Sequence, residues 1–353
     1  NFAPVATVRF AAPVPTLKLR LLALAKAEGT GTQGIIVREI EAYSDPGVGP
    51  TTPLRAQESA AQAPTLVTPA AETAGPPVLW REDFTHFTTA EKFNWDGQDT
   101  KWVLNAAKLS VTPRAGGGAV LRSTAPEGYA GMNHFFPYDP AYRYFQLRIS
   151  DIQGEGYRWL VGMCGDSSGK PGFRSGVHTM RPSTYTVDTH YVHAVFRDGT
   201  AKQCYLTLSV AGSGKQADGS VKPGPAFTVD WLQLVRRPQD GLAVTMADGS
   251  PLPEVLKQGD ELLFRLFLEA PALDATVEVS GGPSYSPIPL SGQTAVQLLR
   301  VGAKDGKEWA AQVKLGPGTG KFDGRSGYPV FFRAVIAGGQ IKDTYAVAAV
   351  KFE

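Results

Sequence analysis

Cysteine, charge and long apolar runs are all scarce in this chain, and each shortage excludes something. Cys164 and Cys204 are the two cysteines, too few for a disulfide scaffold. A single bridge within the middle of the chain and a pair of buried free thiols stay open as alternatives, and neither residue has metal-ligand spacing. Charged residues make up 19% of the chain, below the usual level of about a quarter. The net charge is only +2 and no long basic run exists, so electrostatics points to no nucleic-acid partner. No apolar run approaches the roughly 18 residues of a membrane span. The nearest, "TLKLRLLALA", alternates and is interrupted by Lys18 and Arg20. No secretory leader is legible, and the chain opens at Asn1 rather than Met. The expectation is a processed piece of a longer precursor, with a choice of numbering as the plain alternative.

Long helical periodicity is almost missing as well. What is present is Gly (39), Pro (27) and short runs rich in Val, Tyr, Phe and Leu. Such runs, alternating and bounded by turn residues, are the strand signal. The expected class is therefore all-β. With 353 residues the chain has room for two or three domains with ordinary cores.

Four regions follow. Residues 1–43 hold three strand candidates, "VATVRF", "TLKLRLLALA" and "GIIVREIEAY". Residues 44–76 are rich in Pro, Ala, Thr and Ser without apolar periodicity. They read as a linker that cannot bury enough surface to offset its ordering entropy. Residues 77–238 open with "VLWREDF" and close with "FTVDWLQLVRRP"; about nine strands between these limits suit two packed antiparallel sheets, a jelly roll. Residues 239–353 carry seven short strands and an Asp-Gly hairpin signal in "AKDGKE". They fit an immunoglobulin-like or fibronectin-like sandwich, closer to the latter because the immunoglobulin cysteine pair is absent.

The segments "TVRFAAPVPTLKLRLLALA" and "IIVREIEAY", with Arg38, Glu39 and Glu41, resemble the C-terminal third of a discoidin-like, galactose-binding-like domain. Three strands with one apolar face cannot stand alone in water. A cover is expected from a preceding polypeptide, from another copy of the chain by strand exchange, or from the middle domain; the first is preferred. The acidic opening "WREDF" and the closing "VDWLQL" resemble carbohydrate-binding jelly-roll modules, which implies a structural calcium at Glu82, Asp83 and Asp230. Three carboxylates would supply about half of its oxygens, while solvated strand-edge charges are the plain alternative. "EWAAQVKL" followed by "YPVFFRAVIAGG" is similar to the sandwich modules that trail large secreted bacterial glycan-processing enzymes, a likeness of fold that says nothing of chemistry.

Aromatics crowd the middle region. Sugars stack flat C–H faces on such rings and need polar partners for their hydroxyls. Trp95 and Asp96 in "FNWDGQDTKW", with Trp102 closing that stretch, form one candidate binding loop. Tyr129, Asn133, His134 and Tyr138 in "EGYAGMNHFFPYDPAYRY" form a second, read as lying outside strand alternation. Core packing is the competing role for every one of these rings. Arg174, His178 and Tyr185 on a jelly-roll face resemble polysaccharide lyases, where a cation neutralises a uronate carboxylate and His or Tyr removes the C5 proton. The lyase motif strings are absent. No phosphate loop, nucleophile elbow or zinc spacing is present either, and "RAGGGAV" reads as a hairpin tip.

The expected function is thus a non-catalytic, glycan-binding and bracing portion of a larger secreted or cell-surface protein. The competing expectations are a filament or surface-layer subunit assembled by strand complementation, and a jelly-roll lyase.

Overall fold

The computed structural model describes residues 76–92, 101–124, 129–137, 139, 141–153, 159–164, 173–174, 181–189, 203–211, 226–281, 286–301, 306–324 and 329–353. Residues 1–43, expected to hold three discoidin-like strands, and the expected linker up to residue 75 lie outside them. The described residues belong to one compact unit, Ala60–Glu353. Their regular elements are strands throughout, as expected for an all-β chain. No helix among them is long and apolar enough to cross a membrane.

The first twelve strands are β1 (Val78–Glu82), β2 (Thr89–Ala90), β3 (Trp102–Leu104), β4 (Leu109–Pro113), β5 (Ala119–Ser123), β6 (Tyr129–Pro137), β7 (Tyr144–Gln153), β8 (Trp159–Cys164), β9 (Phe173–Arg174), β10 (Ser183–Asp188), β11 (Gln203–Ala211) and β12 (Ala226–Val235). The second twelve are β13 (Gly241–Met246), β14 (Val255–Leu256), β15 (Glu261–Phe267), β16 (Asp274–Gly281), β17 (Ser286–Pro287), β18 (Ala295–Gln297), β19 (Leu299–Arg300), β20 (Glu308–Lys314), β21 (Phe322–Asp323), β22 (Val330–Ala337), β23 (Asp343–Ala348) and β24 (Lys351–Phe352).

Alternation explains the first sandwich. Phe145, Leu147 and Ile149 of β7, Leu232 and Leu234 of β12, and Leu206, Leu208 and Val210 of β11 turn inward and pack as one core. At roughly 1.5–3 kcal/mol for each large side chain, this burial holds two layers together. One layer is a six-stranded sheet in the order β2-β3-β6-β11-β8-β9. The other belongs to an eleven-stranded sheet whose main path is β17-β16-β22-β23-β10-β7-β12-β5-β4. Strand β12 pairs with β7 along one edge; β5 and β1 share its other edge in succession. The tip between β4 and β5 is the glycine run read from "RAGGGAV". Gly118 has φ +80° there, and a Cβ on it would lie 2.8 Å from the Val229 carbonyl oxygen, so glycine is required.

The long sheet continues past the expected boundary at residue 238. β10 pairs in parallel with β23, Thr184 opposite Thr344 and Val187 opposite Val347. Antiparallel alternation would leave one face of β23 polar, yet β23 is apolar on both. Tyr345 and Val347 enter the first core with Phe331, while Ala346 and Ala348 enter the second with Phe332 and Phe264. One sheet thus supplies a wall to two cores on opposite faces, which is why "VFFRAVIA" and "TYAVAAV" read as near-continuous apolar runs. The Tyr185 and Tyr345 rings stack 5.0 Å apart across the joint. Ser183 Oγ donates to the Asp343 carbonyl (3.0 Å) and Thr344 Oγ1 to the Thr184 carbonyl (2.9 Å).

A buried amide network closes the joint. Gln233 Nε2 donates to Gln146 Oε1 (3.0 Å), and Gln146 Nε2 donates to Thr186 Oγ1 (3.0 Å) and to the Gln239 carbonyl (3.1 Å). Gln146 and Gln233 are both fully buried. Gly241 lies against this network, and a Cβ there would meet Thr186 Oγ1 at 2.8 Å. Arg143 reaches across as well, from Asp188 (Nε to Oδ2, 2.6 Å) to the Gly249 carbonyl (3.2 Å).

Two expectations follow from this joint. Gln146→Leu leaves the Gln239 N–H without its acceptor and the Gln233 amide with only its longer bond to Gln239 Oε1 (3.3 Å), and is expected to cost about 1–3 kcal/mol in urea unfolding; an unchanged midpoint refutes the network's role. The Tyr345 hydroxyl is held above its ordinary pKa, chiefly by burial. A raised pKa gives stability that is complete below about pH 10 and is lost as pH climbs through the folded value. Thermal melts at alkaline pH are therefore expected to decline, and less steeply in Tyr345→Phe.

Candidate functional site

The proposed sugar-binding residues divide. Trp95, Asp96, Tyr138 and His178 lie outside the described residues. Tyr129 falls at the start of β6. That nine-residue strand corrects the loop read for "EGYAGMNHFFP". The period was hidden because the inward positions are Met132, His134 and Phe136, so a polar residue sits where an apolar one is expected. His134 is buried, its ring 4.7 Å from that of Trp102. Trp102 is fully buried and stacks on Phe84 at 5.9 Å. Neither ring offers a face to a sugar; both are core.

Asn133 behaves differently. Its neighbours Met132 and His134 point into the core, so Asn133 lies on the outer face of the six-stranded sheet, half-buried. The register sets it in one row across five strands: Val103, Asn133, Thr207, Gly162 and Arg174. This brings together two residues that sequence reasoning had assigned to different sites, Asn133 and Arg174. The next row pairs Gly131 with Ser209. That row continues to Leu160, and the row on the other side of Asn133 holds Phe135, Tyr205 and Cys164. The Oδ1 atom of Asn133 is buried and has no hydrogen-bond partner.

The carboxylates assigned to calcium are otherwise engaged. Glu82 Oε1 accepts from the Phe84 amide (2.5 Å) and Oε2 from Trp102 Nε1 (3.0 Å). It thereby holds Phe84 at φ +62°. Asp83 accepts from the hydroxyl (2.6 Å) and amide (3.0 Å) of Thr85, and the Thr85 hydroxyl is the main reason its pKa is lowered. Asp230 faces Arg114 (3.1 Å) and Arg148 (3.7 Å) and accepts from Ser150 Oγ (2.7 Å). Among the described residues, no three His, Cys, Asp or Glu side chains gather as a metal group. Two guanidinium groups already neutralise the one carboxylate that β12 contributes, so this donor set does not fit a calcium ion.

Tyr185 is also placed away from chemistry. Its ring is in the core, and its hydroxyl accepts from the Arg181 amide (2.7 Å) and donates to the Arg181 carbonyl (3.0 Å). That is a structural tether rather than a base. The register sets Cys164 opposite Tyr205 and Cys204 opposite Phe136, so the ladder does not pair the cysteines with each other.

A second polar face went unnoticed in the sequence. On the outer side of the long sheet, half-buried Trp231 stands opposite Arg148 in the register. Arg81, opposite Gln233 on the other edge of β12, places its guanidinium 5.0 Å from the indole centroid and donates to Gln233 Oε1 (2.7 Å). The irregular register around Val229 and Trp231 shifts the phase of the strand there. Trp231 consequently faces outward while its neighbour Leu232 enters the core.

Chelator treatment tests the carboxylate assignments: dialysis against EDTA is expected to leave the melting temperature unchanged, and added calcium to give no upward shift. A calcium-dependent rise overturns them.

No family model matches the chain, and no curated protein matches it. Among solved structures it is similar to the glycoside hydrolase domain of Endo-D from Streptococcus pneumoniae R6, with a TM-score of 0.26 and 11% identity over 70% of this chain and 37% of that one. It is also similar to a β-1,2-glucanase from Parabacteroides distasonis, with a TM-score of 0.24 and 11% identity over 76% of this chain and 39% of that one. A β-glucuronidase from Bacteroides uniformis has a TM-score of 0.20 and 13% identity over 63% of this chain and 26% of that one. The chain spans 26–39% of the length of these three proteins. Likenesses of this size leave function to be argued from the chain's own residues.

Proposed function

We propose that the chain is a non-catalytic portion of a larger secreted polysaccharide-acting protein, and that it holds glycan on the outer face of the six-stranded sheet while bracing its neighbours. The observation that carries this reading is the Asn133 amide oxygen, without a donor on a half-buried residue of the outer sheet face. Leaving such an atom unsatisfied costs about 1–3 kcal/mol, and a sugar hydroxyl is a donor of the right size and polarity. The bracing role is supported by the shared sheet, which couples the two sandwiches without a hinge between β10 and β23.

Affinity electrophoresis through a panel of neutral glycans tests the reading. Asn133→Ala is expected to weaken retention about tenfold, the equivalent of about 1.4 kcal/mol, with the melting temperature kept. Trp95→Ala, a candidate from the sequence, is run in the same gels. Unchanged mobility of the unmodified protein across the whole panel overturns the proposal.

A further inference from the structure

The outer face of the long sheet carries a second platform, on the layer opposite Asn133. Its floor is Trp231, and its walls are arginines from the strands on either side of β12. Arg81 comes from β1 and Arg148 from β7, so their backbones stand about 10 Å apart, two strand spacings. Each guanidinium is fixed and still has donors to spare. Arg81 lies over the indole and gives one N–H to Gln233 (2.7 Å). Arg148 gives one to Thr184 Oγ1 (3.0 Å), with its Nε 3.7 Å from Asp230. A guanidinium has five N–H groups, so both retain unused ones at the surface. Arg114 adds a third positive charge beside Asp230 (3.1 Å). Two of the three arginines, Arg114 and Arg148, share the one carboxylate of Asp230, and Asp151, further along the face, is already bonded by Gln153 (2.7 Å).

The geometry points to a binding site for carboxylated polysaccharide. The acid group of a uronate residue would take the fork of Arg81 or Arg148, while its ring rests against Trp231. Arginine suits this because its planar donors pair with both oxygens of a carboxylate. The tryptophan distinguishes the site from a plain basic patch, since it offers an apolar surface for sugar C–H groups that a simple polyanion does not need. The rigid backing also counts: Arg81 is held by Gln233, and Gln233 by Gln146, both fully buried, so little side-chain freedom is lost on binding. The inference rests on the reading that the chain handles polysaccharide, but it uses a different face and a different ligand charge.

Gel retardation by polygalacturonate, by a neutral β-glucan and by dextran sulfate tests it, with melting temperatures recorded for each variant. Retention by polygalacturonate is expected to fall at least tenfold in Arg81→Ala, Arg148→Gln and Trp231→Ala. It should stay reduced in Arg148→Lys, which keeps the charge but loses the fork. Arg81 is exposed, so its variant keeps the result readable if Trp231→Ala fails to fold. Asn133→Ala is expected to leave uronate retention intact, which separates failure of this site from failure of the one on the other sheet. Absence of polygalacturonate retention in the unmodified protein overturns the inference. So does wild-type retention in Arg81→Ala, and so does dextran sulfate retention with the same sensitivity to Trp231→Ala.

Discussion

A strand buried on both faces must find apolar partners above and below it, and β23 is under that demand over nearly its whole length. The parallel pairing of β10 with β23 meets it. Tyr345 and Val347 complete the core of the first sandwich, and Ala346 and Ala348 that of the second. The size difference is part of the arrangement. Large rings fill the gap beneath Tyr185, whereas alanines let the second sandwich approach closely. The amide network of Gln146, Gln233 and Gln239 then seals the polar side of the joint, where any unpaired group would be costly. The polar face around Trp231 depends directly on this joint, since β7 and β12 are fixed by it.

The two faces differ in kind. Around Asn133 the sheet surface of β6 and β11 carries uncharged residues, among them Gly131, Phe135, Thr207 and Ser209, and offers a buried acceptor. Around Trp231 it is made of long, cationic side chains locked by their neighbours. The first suits the hydroxyls of a neutral ring and the second an acid group. Both are built on strands rather than loops, so their geometry is set by the pleat and by register.

Much of the strand content was legible because alternation is a local property. The segments "YRYFQLRISDI", "AKQCYLTLSVAG" and "FTVDWLQLVRRP" all form the strands they suggest. Local pattern fails where a polar residue is buried or an aromatic one is not. His134 occupies an inward position and so disguised β6 as a loop, while a register irregularity turned Trp231 outward beside an inward Leu232. Trp102 looked like a sugar platform because it sits among polar residues in the chain, yet its indole N–H is satisfied by Glu82 inside the fold. The acidic pair at the start and the aspartate near the end of the jelly roll were legible as residues. The arginines that reach Asp230 come from Arg114 and Arg148, 116 and 82 positions away in the chain, counting from 230 − 114 and 230 − 148, and no linear pattern announces them. Pairing between distant strands is likewise invisible to periodicity, which is why the sheet shared by residues 77–238 and 239–353 could not be read from the sequence.

The distance along the chain between the partners at the joint has a consequence for synthesis. Ser183 and Thr184 meet Asp343 and Thr344 across 160 residues. While the ribosome is still making the second sandwich, the free edge of β10 exposes a row of backbone donors and acceptors, together with the ring of Tyr185. An uncovered edge of this kind is a template for any extended chain nearby. Contacts of such long range also form slowly, because loop closure must precede them. The nascent protein therefore passes through a vulnerable interval that ends only when its last strands emerge, and its yield in a cell depends on how well that edge is shielded until then.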